Sequence, residues 1–161
     1  MDERKMTRRA MLVSLARMTA AAGAAGVLVP HGARAAGAAT VTVYKDPSCG
    51  CCTKWVEHLR SSGIRLAVHD RGDMDALKDS LGVPMALRSC HTAVAGRYVI
   101  EGHVPATDLK RLIASGPRDV LGLAVPDMPA GSPGMEMSGR RDRYDVIAFS
   151  PNGKTRIFSH H

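Results

Sequence analysis

The chain alternates between two hydrophobic periodicities, one typical of strands and the other typical of helices. Residues 40–44 alternate the β-branched Thr and Val and end on Tyr44, which predicts a strand. Trp55, Val56 and Leu59 recur at three- and four-residue spacing, which predicts a helix over 51–62. The two periods continue to alternate, and they predict strands at 64–69, 91–95 and 98–101 and helices at 74–81 and 107–115. This order favours an α/β protein, in which helices cover a sheet.

Residues 117–140 break this pattern because prolines and glycines interrupt every apolar run. No regular element is predicted there, so we expect a long Met/Pro/Gly-rich loop. After the loop, the apolar segments 144–149 and 155–158 flank Asn152-Gly153. Asn-Gly between two such segments is a strong signal for a tight turn, which predicts a C-terminal β-hairpin.

The amino-terminal residues 1–35 have the three parts of an export signal. The Arg8-Arg9 pair precedes a weakly apolar run, which ends at the small residues around Arg34. A basic start, an apolar middle and a small-residue end are typical of a secretory signal peptide, and the arginine pair resembles the twin-arginine type. A membrane anchor is disfavoured because Arg17 and many Ala and Gly residues weaken the apolar run. We therefore expect a periplasmic domain at 36–161, without membrane contact after cleavage.

The net charge of +7 changes meaning once the signal peptide is set apart. Six basic and two acidic side chains lie within residues 1–35, so the domain itself is only weakly basic. Aromatic residues make up 4% of the chain, too few for the stacking surfaces of a nucleic-acid binder. The charge therefore concerns export, and we expect no nucleic-acid partner.

The chemistry of the chain is concentrated in its four cysteines. Cys49, Cys51 and Cys52 fall within four residues between the first predicted strand and the first predicted helix, and Cys90 follows much later. A C-x-x-C pair that opens a helix after a strand is typical of thioredoxin-like folds. The unpaired N–H groups and positive dipole of a helix start favour the thiolate, which attacks disulfides and binds soft metals.

Three interpretations of this cluster remain open. Thiol–disulfide exchange needs only Cys49 and Cys52, so Cys51 has no role in it. Soft-metal binding uses all the thiols, and thiolate and thioether ligands select Cu(I) over hard cations. Structural disulfides are the third interpretation, since an exported protein permits them. Zinc is less favoured, because the paired spacing of zinc fingers is absent. Copper is the leading hypothesis.

Histidines and methionines could add ligands to the cysteines. His103 lies near a predicted strand end, and Met135 and Met137, together with Met128, lie on the long loop. His91 directly follows Cys90, and because neighbouring strand residues face opposite sides we expect it to face away from the site. The other histidines of residues 36–161 are expected at the solvent or in a frayed chain end; they are His58, His69, His160 and His161.

Several motifs occur together along residues 40–158. They are 44–52 (YKDPSCGCC), 89–93 (SCHTA), 98–105 (YVIEGHVP), 122–126 (GLAVP), 128–129 (MP) and 131–136 (GSPGME). Together they closely resemble the bacterial family catalogued as domain of unknown function 411 (DUF411), whose copper-resistance members are called CopG.

The resemblance implies a periplasmic, thioredoxin-like protein that binds copper through its C-x-C-C motif. It puts Cys49, Cys51, Cys52 and Cys90 in the ligand set, with His103, Met135 and Met137 as additional candidates. It also implies a multinuclear Cu(I) cluster, copper resistance as the biological role, and a candidate oxidoreductase activity that interconverts Cu(I) and Cu(II). Other periplasmic copper-handling proteins are the expected partners. A thiol–disulfide oxidoreductase is the alternative.

Overall fold

A computed structural model describes residues 40–161. The predicted signal peptide at 1–35 lies outside the described residues. Among residues 40–161, none of the helices is long and apolar enough to cross a bilayer. The elements, in chain order, are β1 (Val41–Lys45), α1 (Gly50–Ser61), β2 (Leu66–Asp70), α2 (Met74–Ser80), a 3-10 turn (Met85–Leu87), β3 (His91–Ala95), β4 (Tyr98–Gly102), α3 (Ala106–Ser115), β5 (Gly122–Val125), β6 (Asp145–Phe149) and β7 (Thr155–His160).

The described strands form a single mixed sheet of seven strands in the order β2-β1-β3-β4-β5-β6-β7. The pairs β1/β2 and β4/β5 are parallel, and α1 and α3 are the respective crossover helices. The other pairs are antiparallel, including the predicted C-terminal hairpin of β6 and β7. The predicted mixed α/β class is therefore confirmed.

Two apolar clusters cover opposite faces of the sheet. Along β4, Tyr98 and Ile100 belong to the larger cluster, whereas Val99 between them belongs to the smaller one. Neighbouring strand residues point to opposite faces, so the two clusters lie on the two sides of the sheet. The larger cluster includes the buried faces of α1 and α3, and the smaller one includes Val83 and Leu87, which follow α2.

The expectation of a featureless loop over 117–140 is wrong in part, because β5 (Gly122–Val125) lies inside it. All four residues of β5 are buried, so the strand shows no alternation of polar and apolar positions. Gly122 also looks like a turn residue in the sequence, but in the structure it lets β5 lie close to β4. A Cβ at this position would collide with the Val99 carbonyl oxygen. The long loop is shorter than predicted and runs from β5 to β6.

The sheet register brings three chain segments together at the same end of neighbouring strands. β1 and β3 are antiparallel, with Lys45 opposite His91, so the end of β1 meets the start of β3. β3 and β4 are also antiparallel, which brings the end of β4 to the same place. The segment from β1 to α1 carries the cysteine motif, Cys90 precedes β3, and His103 follows β4.

Candidate metal centre

The cysteine motif forms the first turn of α1. Cys49 is the residue that caps the helix, and its sulfur accepts a hydrogen bond from the Cys52 N–H at 3.4 Å. Asp46 fixes the preceding turn by accepting hydrogen bonds from the Ser48 N–H and, through its backbone oxygen, from the Cys49 N–H. Cys49 and Cys52 are joined as a disulfide, whereas Cys51 and Cys90 are free thiols.

The fold gathers all four predicted cysteines. The Cys51 sulfur lies 3.5 Å from the Cys49 sulfur and 4.0 Å from the Cys90 sulfur. All four sulfurs lie within 4.8 Å of one another, close enough to share one metal centre. Four sulfur donors at this spacing, with no carboxylate among them, form a soft ligand set.

Two imidazoles adjoin Cys90. The Cys90 sulfur lies 3.2 Å from His91 Nδ1 and 3.1 Å from His103 Nε2, and the three ligand atoms form a second potential metal-binding group. The expectation that His91 faces away is wrong. Cys90 lies before the first residue of β3, so strand alternation does not apply to the pair. The adjacent Cys-His dipeptide was the only local signal for this residue.

Both imidazoles are held neutral. Burial lowers the pKa of His103, and burial lowers the pKa of His91 well below its usual value, with the nearby His103 and Lys78 disfavouring a second positive charge there. The neutral imidazole is the form that binds metals. His91 is fully buried and its Nε2 has no hydrogen-bond partner, a costly arrangement that a ligand to this nitrogen would relieve.

The long loop fixes the orientation of His103. His103 Nδ1 donates a hydrogen bond of 2.7 Å to the Pro133 carbonyl oxygen, which is an acceptor only. The proton therefore resides on Nδ1, and the lone pair of Nε2 points toward Cys90. A histidine whose other nitrogen donates to a backbone carbonyl is oriented as metal-binding histidines are.

Burial also keeps the Cys90 thiol protonated. It raises the pKa of Cys90 to about 12, and the neighbouring Cys51 acts in the same direction. At neutral pH a metal ion must therefore displace the Cys90 proton to bind the sulfur, as thiol ligands generally require.

The two predicted methionine ligands differ in position. The loop packs on α1 at Gly134, where a Cβ would lie 2.8 Å from both the Cys51 carbonyl oxygen and the Trp55 nitrogen. Met135 follows this contact and is partly buried. Met137 is 57% exposed and pairs with Arg140 in an isolated bridge. The loop thus reaches the cysteines through residues 133–134, next to Met135.

Three of the other histidines differ from expectation. His58 is half-buried, and its Nε2 accepts a hydrogen bond from the Ala106 N–H at the start of α3. The predicted fraying of the chain end is also wrong: β7 extends to His160, and His161 contacts Asp108 at 2.7 Å. His69 is exposed, as predicted, and it stacks on Tyr44.

The fold and the site define a mixed α/β protein with a cysteine- and histidine-rich candidate metal centre. The DUF411 family profile, described as a protein family of unknown function, matches residues 87–135. Two solved structures, "Copper resistance protein copG- Form 1" and "Form 2", are each 41% identical to this chain. The matches cover 76% of this chain and 97% and 98% of theirs, with TM-scores of 0.72 and 0.73. The chain therefore belongs to the DUF411 family, and within it to the CopG-type copper-resistance proteins. No curated protein matches it.

Proposed function

We propose that this protein binds Cu(I) on Cys49, Cys51, Cys52 and Cys90, and that it acts in copper resistance in the periplasm. The observation that carries the proposal is the convergence of the four sulfurs within 4.8 Å. Thiolates favour Cu(I) over hard cations, and the copper-resistance names of the two similar structures support copper in particular.

The donor geometry supports more than one copper ion per chain. The four sulfurs form one ligand group, and Cys90, His91 and His103 form a second. The two groups share Cys90, and a thiolate that belongs to both can bridge two metal ions. His91 Nδ1 and the Nε2 lone pair of His103, which both face the Cys90 sulfur, supply nitrogen ligands to the second group. We include Met135 as a further candidate ligand and Met137 as a contact for copper in transit.

The proposal also includes a redox reaction between copper and the cysteines, and this reaction depends on the Cys49–Cys52 disulfide. A bonded pair offers no thiolates, so full copper binding requires its reduction to two thiols, with two electrons from a donor dithiol that itself becomes a disulfide. The reduced Cys49/Cys52 dithiol can then be oxidised by copper: it gives one electron to each of two Cu(II) ions. The products are two Cu(I) ions, the disulfide and two protons. The position of this pair between β1 and the start of α1 supports a thioredoxin-like arrangement.

Anaerobic Cu(I) titration of the purified, reduced protein against a chromophoric Cu(I) chelator tests the proposal. We expect more than one copper ion per chain, and fewer after Cys51→Ser. Protein that retains the Cys49–Cys52 disulfide should also bind fewer ions, because only Cys51, Cys90 and the imidazoles remain available. Ser61→Ala, at the far end of α1, is the matched control. Less than one ion per chain, or a stoichiometry that Cys51→Ser leaves unchanged, would contradict the proposal.

A thiol–disulfide oxidoreductase is the second candidate, and the Cys49–Cys52 disulfide at a helix start favours it. The same variants separate the two functions. Exchange predicts that Cys49→Ser abolishes the reduction of insulin disulfides, whereas Cys51→Ser has little effect on it. Copper binding predicts that both substitutions lower the stoichiometry of Cu(I).

A further inference from the structure

A fully buried carboxylate lies directly behind the candidate metal centre. Glu101, in β4, accepts hydrogen bonds from Lys78 Nζ at 2.5 Å, from Thr92 Oγ1 at 2.7 Å and from the Ser89 N–H at 2.6 Å. Lys78 is also buried, and it donates a second hydrogen bond to Thr92 Oγ1 at 2.8 Å. Burying an ion pair costs desolvation energy, and a well-packed apolar pair is often equally stable. Stability alone therefore does not explain the buried Lys78–Glu101 pair.

One of the three donors belongs to the backbone that carries Cys90. Ser89 immediately precedes Cys90 and lies before β3, so its N–H has no partner in the strand ladder. The Ser89 side chain of this segment packs on Gly102, whose φ is +68°. A Cβ at Gly102 would lie 2.6 Å from Ser89 Oγ and 2.5 Å from the Val125 carbonyl oxygen. Ser89 is thus held between the Glu101 carboxylate and the Gly102 backbone.

We infer that Glu101 is a positioning residue for Cys90: its buried carboxylate holds the Ser89 N–H and thereby sets where the Cys90 sulfur lies. The inference rests on the proposed copper function, because it concerns how one of the proposed ligands is placed. A hydrogen bond to an ionised carboxylate is shorter and stronger than one to a neutral group, which suits it to fixing a backbone segment. Lys78 holds the carboxylate in turn.

The geometry explains why the position of Cys90 matters more than that of the other cysteines. Cys49, Cys51 and Cys52 share one helical turn, so the helix itself places them. Cys90 comes from another segment, and it is the sulfur that belongs to both ligand groups. A shift of the Ser89–Cys90 backbone would therefore disturb both groups together.

Two variants separate positioning from stability. Lys78→Met removes the cation but leaves a Glu101 carboxyl oxygen to accept from the Ser89 N–H, so it destabilises the fold while keeping the hydrogen bond to the segment that carries Cys90. Lys78→Met/Glu101→Leu replaces the whole pair by apolar side chains, which removes both buried charges but leaves the Ser89 N–H and the Thr92 hydroxyl without the carboxylate. A purely structural role predicts that the single variant is the more disturbed, whereas a positioning role predicts that the double variant is.

The first measurement is the alkylation rate of Cys90 in a Cys51→Ser background. With the Cys49–Cys52 disulfide intact, Cys90 is then the remaining free thiol among the described residues. We expect the double variant to react about tenfold faster than its parent, because one charge-assisted hydrogen bond no longer holds the segment. Lys78→Met should stay closer to the parent than the double variant. The opposite order, or equal rates in all three proteins, would overturn the inference.

The second measurement is Cu(I) affinity in the protein with all four cysteines, by competition with a chromophoric chelator. We expect about ten- to a hundredfold weaker binding in the double variant, the usual effect of removing a group that orients a ligand, and a smaller change in Lys78→Met. If the parent protein binds no Cu(I), the proposed function fails, but the alkylation rates still test the positioning. If copper binds equally in all variants, the positioning inference fails and the proposed function stands.

A second pair of variants covers the case in which the double variant does not fold. Ser89→Pro removes both the N–H that donates to Glu101 and the hydroxyl, and Arg88 already has the extended conformation that a following proline requires. Ser89→Ala removes only the hydroxyl and keeps the N–H. Faster alkylation in Ser89→Pro than in Ser89→Ala supports the inference, and equal rates contradict it.

Discussion

At the scale of single residues, the candidate centre combines neutral imidazoles with a protonated thiol. Burial lowers the pKa of His91 and His103 and raises the pKa of Cys90, so in each case the uncharged form is favoured. Uncharged imidazoles are ready to bind a metal, whereas the thiol must first lose its proton. Copper binding should therefore release protons and strengthen as the pH rises.

Buried His91 makes the stability of the metal-free protein depend on pH. The pKa of His91 is well below its usual value in the folded state, so the unfolded chain binds more protons as the pH falls below about 6.5. Stability is therefore lost as the pH falls. His91 alone should lower the free energy of unfolding by about 1.4 kcal/mol between pH 7.5 and 5.5. Urea unfolding of the metal-free protein at the two pH values measures this change.

The variant His91→Gln tests the origin of that dependence. It should lower stability at both pH values but reduce the difference between them, while His69→Gln, on an exposed histidine, should leave the difference as it is. The pH range ends at 5.5 so that the carboxyl groups of the unfolded chain stay ionised. A His91→Gln protein with an undiminished pH dependence would assign the effect to other groups.

At the scale of elements, the loop between β5 and β6 lines one side of the candidate metal centre. It approaches α1 at Gly134, and it holds His103 through the Pro133 carbonyl. Glu136 supports this conformation, because both of its carboxylate oxygens accept a hydrogen bond from the Gly134 N–H. The loop is therefore a structured part of the site.

Gly134→Ala should move this loop away from α1. The residue has a φ of +87°, and its added Cβ would lie 2.8 Å from backbone atoms of α1 that cannot easily move. We expect a loss of about 2–3 kcal/mol in the free energy of unfolding, together with weaker Cu(I) binding as His103 loses its orientation. Chemical unfolding and chelator competition measure the two effects.

Gly139→Ala is the matched control in the same loop. Its φ is +75°, but an added Cβ meets no atom within 4 Å, so only the backbone strain remains. We expect a loss of about 1 kcal/mol and unchanged copper affinity. Equal losses in the two variants would mean that the contact of Gly134 with α1 is unimportant.

At the scale of the whole molecule, most of the net positive charge and all of the proposed copper ligands lie in different regions of the chain. The six basic residues of positions 1–35 precede the domain, whereas all four cysteines lie within it. This separation fits our proposal of an exported copper protein. Twin-arginine export carries folded proteins, so the centre could be assembled before transport.

The export proposal predicts a processed periplasmic protein. The double variant Arg8→Lys/Arg9→Lys should leave the full-length chain in the cytosol, since the twin-arginine signal depends on the pair. Arg17→Lys, outside the pair, should be exported normally. Cell fractionation with intact-mass measurement distinguishes the two, and a wild-type chain that keeps its full amino terminus in the cytosol would contradict the proposal.

Local sequence patterns were sufficient to predict the features that depend on neighbouring residues. Helix α1 follows from the spacing of Trp55, Val56 and Leu59, and the hairpin follows from Asn152-Gly153 between two apolar segments. The clustering of Cys49, Cys51 and Cys52 requires no tertiary contact, because the three residues lie within one helical turn. Local periodicity and spacing were sufficient in each case.

The features that join distant segments became visible in the folded domain. Strand β5 gave no signal, because a strand buried on both faces lacks alternation. Cys90 meets Cys51 across 39 positions, and His103 meets Pro133 across 30, through strand pairing and loop packing. The Lys78–Glu101 pair behind Cys90 spans 23 positions. Such contacts arise from the register of the sheet and from the packing of α2 and the long loop against it, and both depend on segments that are far apart in the sequence.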